Sequence, residues 1–267
     1  MGFDCRPILC LLSLFAICGP ATAQQSQSYP DGNGGTVTLP MGDLSFADSA
    51  VSYDMGDPAP IESSRDPSGA AGPPDYEDLD APERFLTLGC GGAVVLRFED
   101  NALIDIKGTD LYVFEVGPDV EATFLAVSAN GSDWIEVGDI SGGRADIDIG
   151  PYVDESASFS HVRLTDDAKD CNGRWPGADI DSVAAIGTAE RFVLEGEVLF
   201  EFDSAILRDS ARNALRETVE ALESRELGAL RVVGHTDSRG AADYNRALSE
   251  KRAAAVRDWL EQQPAFA

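Results

Sequence analysis

Two oppositely charged side chains stand at a spacing that could hold a zwitterionic ligand. Asp237 follows the apolar run 230–233 in a turn, and Arg252 lies within the amphipathic segment that comes next. Asn245 and Arg252 are seven residues apart, which is about two helical turns, so they share one face of a helix. A carboxylate accepts hydrogen bonds from an ammonium group, and a guanidinium pairs bidentately with a carboxylate. The pattern therefore predicts a site for a ligand that carries both groups.

Each of these residues also has a purely structural alternative. Aspartate is a common helix N-cap, so Asp237 could serve only to start the helix. Arg252 could be a solvated side chain paired with a neighbouring acid. Gly234 and Gly240 would let the backbone turn or approach closely where a Cβ would interfere. The order and spacing of the whole set favour a binding site over these separate alternatives.

The elements that must position this site alternate between strand and helix. Apolar strand patterns at 198–202 and 230–234 alternate with helical patterns at 209–224 and 242–262. The apolar stripes of the two helical patterns are Leu215, Val219 and Leu222, then Tyr244, Leu248, Ala255 and Trp259. The sequence therefore predicts a β-α-β-α domain after residue 195.

The segment 234–253 carries a motif that resembles a known family. It reads Gly-His-Thr-Asp-x-x-Gly, then Tyr-Asn, then Leu-Ser-x-x-Arg-Ala. This pattern is similar to the signature of the OmpA-like C-terminal domain family, which binds peptidoglycan, and 198–204 resembles the family's opening strand. The resemblance implies that Asp237 and Arg252 hold the zwitterionic end of meso-diaminopimelate in the stem peptide. The other implied site residues, of which the first lines the site and the rest support it, are Asn245, Thr236, Leu248 and Asp203.

The resemblance covers about residues 196–267. Family members continue beyond the second helix with a further strand and helix, whereas this sequence reaches residue 267 soon after Trp259-Leu260. We therefore expect an OmpA-like domain that is incomplete at its C-terminal end, with an exposed sheet edge.

Residues 1–23 have the features of a secretory signal peptide. Arg6 precedes the apolar run 8–17, and Ala21-Thr22-Ala23 is a small-x-small cleavage site, so cleavage is expected before Gln24. The apolar run is shorter than the about 20 residues that span a bilayer. Bulky Ile17 before Cys18 argues against a lipoprotein site. These features predict an exported protein, and the OmpA resemblance implies the Gram-negative periplasm or outer membrane.

Removal of the signal peptide would leave two cysteines. Cys90 and Cys171 are the only ones after residue 23. A single pair in an exported protein is more often a disulfide than a metal or catalytic site. The alternative is two buried free thiols.

The acidic charge is concentrated in the first part of the chain. Residues 191–267 carry 11 basic and 14 acidic side chains, so −24 of the net charge of −27 lies in residues 1–190. Such a field argues against nucleic acid or anionic lipid as a partner of this region, and it permits divalent cations.

Residues 35–188 have the pattern of an all-β domain. Short runs rich in β-formers are separated by Gly and Asp turns, and Asn130-Gly131 is a strong turn signal between two of them. This pattern favours a β-sandwich. We expect 24–34 to be a flexible segment and 189–195 to be a linker to the second domain.

Four segments of this domain resemble a discoidin-like, galactose-binding-type jelly roll of secreted bacterial surface proteins. They are 88–98, 110–117, 128–137 and 178–183. The resemblance implies a binding module, with carbohydrate as one class of ligand, and implies no enzyme.

Acidic and glycine-rich segments in the same domain suggest a calcium site. Oxygen ligands cluster in 166–173 and 179–181, and calcium takes six to eight hard oxygens. The candidate ligands are Asp110, Glu115, Asp179 and Asp181. The alternative is a solvated acidic loop tethered by a disulfide between Cys90 and Cys171.

The sequence as a whole therefore favours a non-catalytic peptidoglycan anchor. One alternative is a calcium- or carbohydrate-binding surface protein in which the sandwich carries the main function. A second is a membrane β-barrel ahead of the OmpA-like domain, which the short, interrupted strands disfavour. A glycosidase would need paired carboxylates, but with 33 acidic residues before Arg191 such pairs arise by chance.

Overall fold

The structure is a computed structural model of the 267-residue chain. It describes residues 11–18, 26–31, 34–77, 81–117, 120–142, 145–169, 171–223, 227–234 and 241–264. In this part of the chain no helix is both long enough and apolar enough to cross a membrane.

The secondary structure of the described residues is mostly strand before residue 196 and includes helices after it. The strands are β1 (Leu11–Cys18), β2 (Gln27–Pro30), β3 (Thr36–Leu39), β4 (Ser49–Asp54), β5 (Leu86–Thr87), β6 (Ala93–Arg97), β7 (Asn101–Ile104), β8 (Leu111–Glu115), β9 (Val120–Ser128), β10 (Ile135–Gly142), β11 (Asp146–Ile147), β12 (Ser158–Phe159), β13 (His161–Asp166), β14 (Asp179–Ala185), β15 (Thr188–Glu195) and β16 (Leu227–Gly234). The helices are α1 (Gly196–Leu199), α2 (Ala211–Glu223) and α3 (Ala242–Leu260). Short 3-10 turns occupy Gly42–Ser45, Glu62–Ser64, Pro67–Ala70 and Pro82–Arg84.

The chain forms two compact units. One comprises residues 21–189, and the other comprises residues 1–20 together with 190–267.

The first unit is built on two antiparallel sheets. One has the strand order β10-β9-β13-β6-β4, and the other has the order β11-β8-β14-β5. Alternate residues of both sheets contribute to one buried apolar cluster, which makes this unit a β-sandwich. Its members include Leu86, Val94, Leu96, Leu111, Val113, Leu125, Val127, Val137, Ile147, Val162, Leu164, Ile180 and Val183. The all-β character predicted for residues 35–188 is thus confirmed.

A disulfide ties two loops of this unit together. Cys90 and Cys171 are bonded, with Cα atoms 5.3 Å apart and a sequence separation of 81. Cross-linking a segment of this length removes conformational freedom from the unfolded chain. The structure therefore brings together the two cysteines that the sequence singles out.

The second unit contains a sheet in which β1 lies between β15 and β16. Both neighbours pair antiparallel with β1. Helices α2 and α3 contribute to the core of this unit through residues spaced three or four apart. The buried members of the core are Leu199, Phe200, Ala211, Leu215, Val219, Val256 and Leu260. The stripe predicted for the first helix, from Leu215 to Leu222, is buried.

The strand predicted at 198–202 is wrong. Strand β15 ends at Glu195, and Gly196 begins a helical turn in which the N–H of Phe200 donates to the carbonyl of Gly196 over 2.8 Å. An alternating strand would bury its odd or its even positions, but Leu199 and Phe200 are both buried while Phe202 is 83% exposed. The strand of the β-α-β-α order is thus β15, which covers the segment expected to be a linker.

The apolar stripe predicted for the second helix is also partly wrong. Tyr244 is 55% exposed, and the buried face of α3 is formed by Arg252, Val256 and Leu260, which are four residues apart. Ala255 and Trp259 pack partly against the same core. The buried face of α3 therefore includes a charged residue, Arg252, which a search for apolar residues does not select.

The N-terminal residues take part in both units. The segment 24–34, expected to be flexible, contributes β2, which pairs with β3. The apolar run of the predicted signal peptide contributes β1. One molecule cannot both keep β1 in this sheet and lose residues 1–23 to a signal peptidase.

The predicted cleavage is checked by the intact mass of the protein isolated from the cell envelope. We expect the mature chain to begin at Gln24, because the small-x-small site precedes it. An isolated protein that retains residues 11–18 would contradict the signal-peptide prediction and would make β1 a permanent strand of the sheet. A variant with Ala23→Pro, which blocks signal peptidase, serves as the control for the uncleaved mass.

Candidate functional site

The guanidinium of Arg252 is buried and held by backbone carbonyls. Its Nε–H donates to the carbonyl of Ser204 over 2.8 Å, and its Nη2 donates to the carbonyl of Glu201 over 3.3 Å. The guanidinium carbon lies 5.2 Å from the ring centroid of Phe200. Arg252 is only 7% exposed. These contacts fix the side chain of α3 against the segment 200–204.

The turn that supplies these carbonyls has an unusual backbone. Asp203 has a φ of 57°, in the left-handed region that aspartate tolerates better than most residues. Its carboxylate accepts a hydrogen bond from the hydroxyl of Tyr244 on α3. The hydrogen bond to Asp203 raises the pKa of Tyr244. Asp203 and Tyr244 therefore make a second link between this turn and α3.

Strand β16 ends at Gly234, which lies so close to α3 that there is no room for a side chain at this position. A Cβ on Gly234 would lie 2.4 Å from the carbonyl oxygen of Ser249. The close approach that the sequence assigns to Gly234 is therefore present. Ser249 stands three residues before Arg252, so the end of β16 meets the backbone of α3 about one helical turn before Arg252.

The structure describes four of the six predicted binding residues, namely Arg252, Asp203, Asn245 and Leu248. Asn245 and Leu248 are half-buried on α3, and the N–H of Asn245 donates to the carbonyl of Ala241. Thr236 and Asp237 lie outside the described residues.

Sequence reasoning missed three contributors to the Arg252 environment. They are the carbonyls of Glu201 and Ser204 and the ring of Phe200. A motif of side-chain types does not indicate which backbone carbonyls will accept hydrogen bonds from an arginine. The only hint is the aromatic residue in the family-like segment 198–204.

The candidate calcium ligands of the sandwich do not form one group. Asp110 is fully buried, and its two oxygens accept from the N–H groups of Ile106 and Ile149 over 2.7 and 2.8 Å. Its carboxylate lies within 4.8 Å of those of Asp105 and Asp148. Burial raises the pKa of Asp110 to about 6.

Asp181 stands apart from the other candidates. It accepts hydrogen bonds from the N–H groups of Asp75 and Tyr76 over 3.2 and 3.3 Å, and so holds the loop that contains them. Burial raises its pKa to about 7.

Glu115 and Asp179 are brought together at one end of the sandwich. The Cα partner of Glu115 is Ile180, the residue after Asp179. Burial raises the pKa of Glu115 to about 9 and that of Asp179 to about 7, and the charge of Asp179 adds to the effect on Glu115. Burial raises the pKa of Glu121 to about 7, and the charge of Glu121 adds to the effect on both carboxyls.

Comparison with known proteins confirms the resemblance of the second unit. Residues 199–265 match the family model of the OmpA family. The peptidoglycan-associated lipoprotein of Brucella melitensis is 32% identical over 85 residues, which are 32% of this chain and 46% of that protein. Outer membrane protein A of Klebsiella aerogenes is 39% identical over 75 residues, which are 27% of this chain and 21% of that protein. The chain spans less than half the length of these relatives.

One solved structure has a more distant likeness to the chain. The C-terminal domain of a chitobiase from Bacteroides fragilis aligns with 53% of this chain and 93% of its own length. The sequence identity is 16% and the TM-score is 0.31, which is too low to support an argument about fold or ligand.

A substitution at Gly234 tests the contact between β16 and α3. Gly234→Ala would push a methyl group against the carbonyl of Ser249. We expect a loss of about 1–3 kcal/mol in the free energy of unfolding, the usual cost of overpacking, measured by urea denaturation. Ser249→Ala keeps the carbonyl and should change the free energy by about 0.5 kcal/mol or less. Equal stability of Gly234→Ala and the parent would show that the contact is not tight.

The buried acids of the sandwich predict a dependence of stability on pH. Folding raises the pKa values of Glu115, Asp179 and Asp181, so at neutral pH the folded chain holds more protons than the unfolded chain. Stability should therefore fall as the pH rises from about 5 to about 9. Urea midpoints in EDTA at both ends of this range measure the effect. A midpoint that rises with pH would contradict the prediction.

Proposed function

We propose that residues 196–267 bind the meso-diaminopimelate of peptidoglycan stem peptides and so anchor the protein to the cell wall without covalent linkage. The observation that carries the proposal is Arg252, which occupies the arginine position of the family motif and is held in one orientation by the carbonyls of Ser204 and Glu201. The named relatives include a peptidoglycan-associated lipoprotein.

Arg252 suits recognition of a carboxylate for two physical reasons. A guanidinium is planar and always charged, and its donors match the two oxygens of a carboxylate. Its surroundings limit the number of side-chain conformations, so less entropy is lost when a ligand binds. The buried position also reduces competition from water, which strengthens a charge-assisted hydrogen bond.

Asp237 is proposed as the partner of the ligand's ammonium group. It follows Gly234 by three residues, so covalent geometry keeps the two Cα atoms within about 11 Å of each other. Gly234 itself abuts Ser249, one turn before Arg252. A ligand whose ammonium and carboxylate groups share one carbon would bridge the two side chains. Asn245, Leu248, Asp203 and Thr236 are proposed to line or support this site.

We also propose a role for the whole chain. The protein acts as an exported binding protein of the periplasm or outer membrane, and it catalyses no reaction. The β-sandwich is a second binding module, of jelly-roll type, with carbohydrate as one class of ligand. The similarity of the second unit to an outer membrane protein supports the envelope location.

Co-sedimentation with purified peptidoglycan tests the anchor. We expect the protein to pellet with diaminopimelate-type sacculi and to remain in the supernatant with lysine-type sacculi, because lysine lacks the side-chain carboxylate. Arg252→Lys keeps the charge but loses the planar fork, and should reduce the bound fraction at least tenfold. Asp237→Asn should do the same by removing the charge that faces the ammonium.

A matched control comes from the same helix. Arg246 is exposed on α3, so Arg246→Lys makes the same chemical change away from the buried face and should leave binding unchanged. Circular dichroism establishes that each variant is folded. Equal binding of both sacculus types, or full binding by folded Arg252→Lys, would refute the proposed recognition.

A further inference from the structure

Tyr244 interacts with two charged groups of the proposed site. Its hydroxyl donates a hydrogen bond to Oδ1 of Asp203, in the turn that follows α1. This hydrogen bond raises the pKa of Tyr244, whereas the charge of Arg252 acts to lower it, so the guanidinium lies near enough to act on the hydroxyl. The side chain of Tyr244 is otherwise 55% exposed. Its hydroxyl, rather than its apolar ring, is therefore the part that the fold uses.

One turn holds the guanidinium of Arg252. Asp203 is the third residue of this turn, which closes where the N–H of Ser204 donates to the carbonyl of Glu201 over 3.2 Å. The carbonyl of Glu201 also accepts from Nη2 of Arg252, and the carbonyl of Ser204 accepts from its Nε–H. The orientation of the guanidinium therefore depends on the conformation of this turn.

Asp203 has a backbone conformation that needs support. Its φ of 57° lies in the left-handed region. At the third position of a turn a positive φ favours glycine or asparagine, and for other residues such a backbone persists where surrounding contacts hold it. The hydrogen bond from Tyr244 to the Asp203 carboxylate is a contact of this kind. It helps to keep the turn in the conformation that directs both carbonyls to Arg252.

Helix α3 contacts this turn at two points. Tyr244 and Arg252 are eight residues apart, which is about 12 Å along the helix. Tyr244 holds the side chain of Asp203, and Arg252 holds the backbone of the residues on either side. Loss of the Tyr244 contact would therefore free the turn to shift relative to the guanidinium.

We propose that Tyr244 is a positioning residue for recognition of the diaminopimelate carboxylate. This inference rests on the proposed binding function of Arg252 and adds that the preference for diaminopimelate over lysine depends on the hydrogen bond between Tyr244 and Asp203. The bond fixes the turn, the turn fixes the guanidinium, and a guanidinium held in one orientation loses less entropy when it pairs with the ligand carboxylate. Asp203 acts through this bond and does not itself contact the ligand.

Calorimetric titration of the protein with two stem tripeptides, one containing diaminopimelate and the other lysine, tests the proposal. Tyr244→Phe removes only the hydroxyl. We expect it to weaken binding of the diaminopimelate tripeptide roughly three- to tenfold, the effect of one hydrogen bond, and to leave the weaker binding of the lysine tripeptide unchanged. Its urea midpoint should stay close to that of the parent. A merely structural contact would instead lower the midpoint and leave the affinity of the folded protein unchanged.

Substitutions at Asp203 separate the hydrogen bond from the charge. Asp203→Asn keeps an acceptor oxygen and tolerates a positive φ, so it should bind the diaminopimelate tripeptide within about twofold of the parent. Asp203→Gly suits the turn but lacks the acceptor, so it should weaken binding as Tyr244→Phe does. The variant with both Asp203→Gly and Tyr244→Phe should bind no more weakly than either alone, because both changes remove the same bond.

A matched control comes from the first unit. Tyr152 is 51% exposed, so Tyr152→Phe removes a tyrosine hydroxyl away from the site and should leave both affinities unchanged.

Two outcomes would overturn the positioning role and leave the proposed function intact. In the first, Arg252→Lys loses the preference for diaminopimelate while Tyr244→Phe keeps the affinity of the parent. In the second, Asp203→Asn weakens binding as much as Asp203→Gly, since the charge of Asp203 would then act on the ligand directly. A parent protein that binds both tripeptides equally would overturn the proposed function and the positioning role with it.

Discussion

The second unit depends on one buried charge. A guanidinium removed from water costs free energy unless hydrogen bonds and a polarisable neighbour compensate it. For Arg252 the described compensation comes from the carbonyls of Glu201 and Ser204 and from the ring of Phe200. The same contacts that stabilise the charge tie α3 to the turn after α1. The orientation of the guanidinium is thus set by the folding of its own domain, and the left-handed backbone of Asp203 belongs to the turn that presents both carbonyls.

The β-sandwich presents the opposite electrostatic situation. Most of the negative charge of the chain lies before residue 191, and part of it is buried at the end of the sandwich that the disulfide closes. Asp110, Asp166 and Asp181 are compensated by backbone N–H groups, which hold loops in place. Glu115 also accepts a backbone N–H, from Glu121 at Oε2, while its Oε1 is buried without a hydrogen-bond partner.

Much of this architecture could be predicted from the sequence, because side-chain periodicity and spacing carry it. The strands of the sandwich, helix α2 and the cysteine pair follow from such patterns, and the motif 234–253 identified the OmpA resemblance that residues 199–265 confirm. The strand expected at 198–202 failed because alternation alone does not show where a strand finds its partner. The buried face of α3 was misplaced because a pattern search does not assign arginine to a core. The contacts of Arg252 with backbone carbonyls, and the proximity of Glu115 to Asp179, could not be predicted because they depend on the tertiary fold.

Recognition of diaminopimelate is tested by titration of isotope-labelled protein with the diaminopimelate-containing stem tripeptide, followed by NMR of the arginine side chains. We expect the Nε–H resonance of Arg252 and the amide of Asp237 to shift in a saturable way. The tripeptide with lysine in place of diaminopimelate should leave both resonances unchanged. Identical shifts with the two peptides, or no shift at Arg252 on saturation with the first peptide, would contradict recognition of diaminopimelate by Arg252.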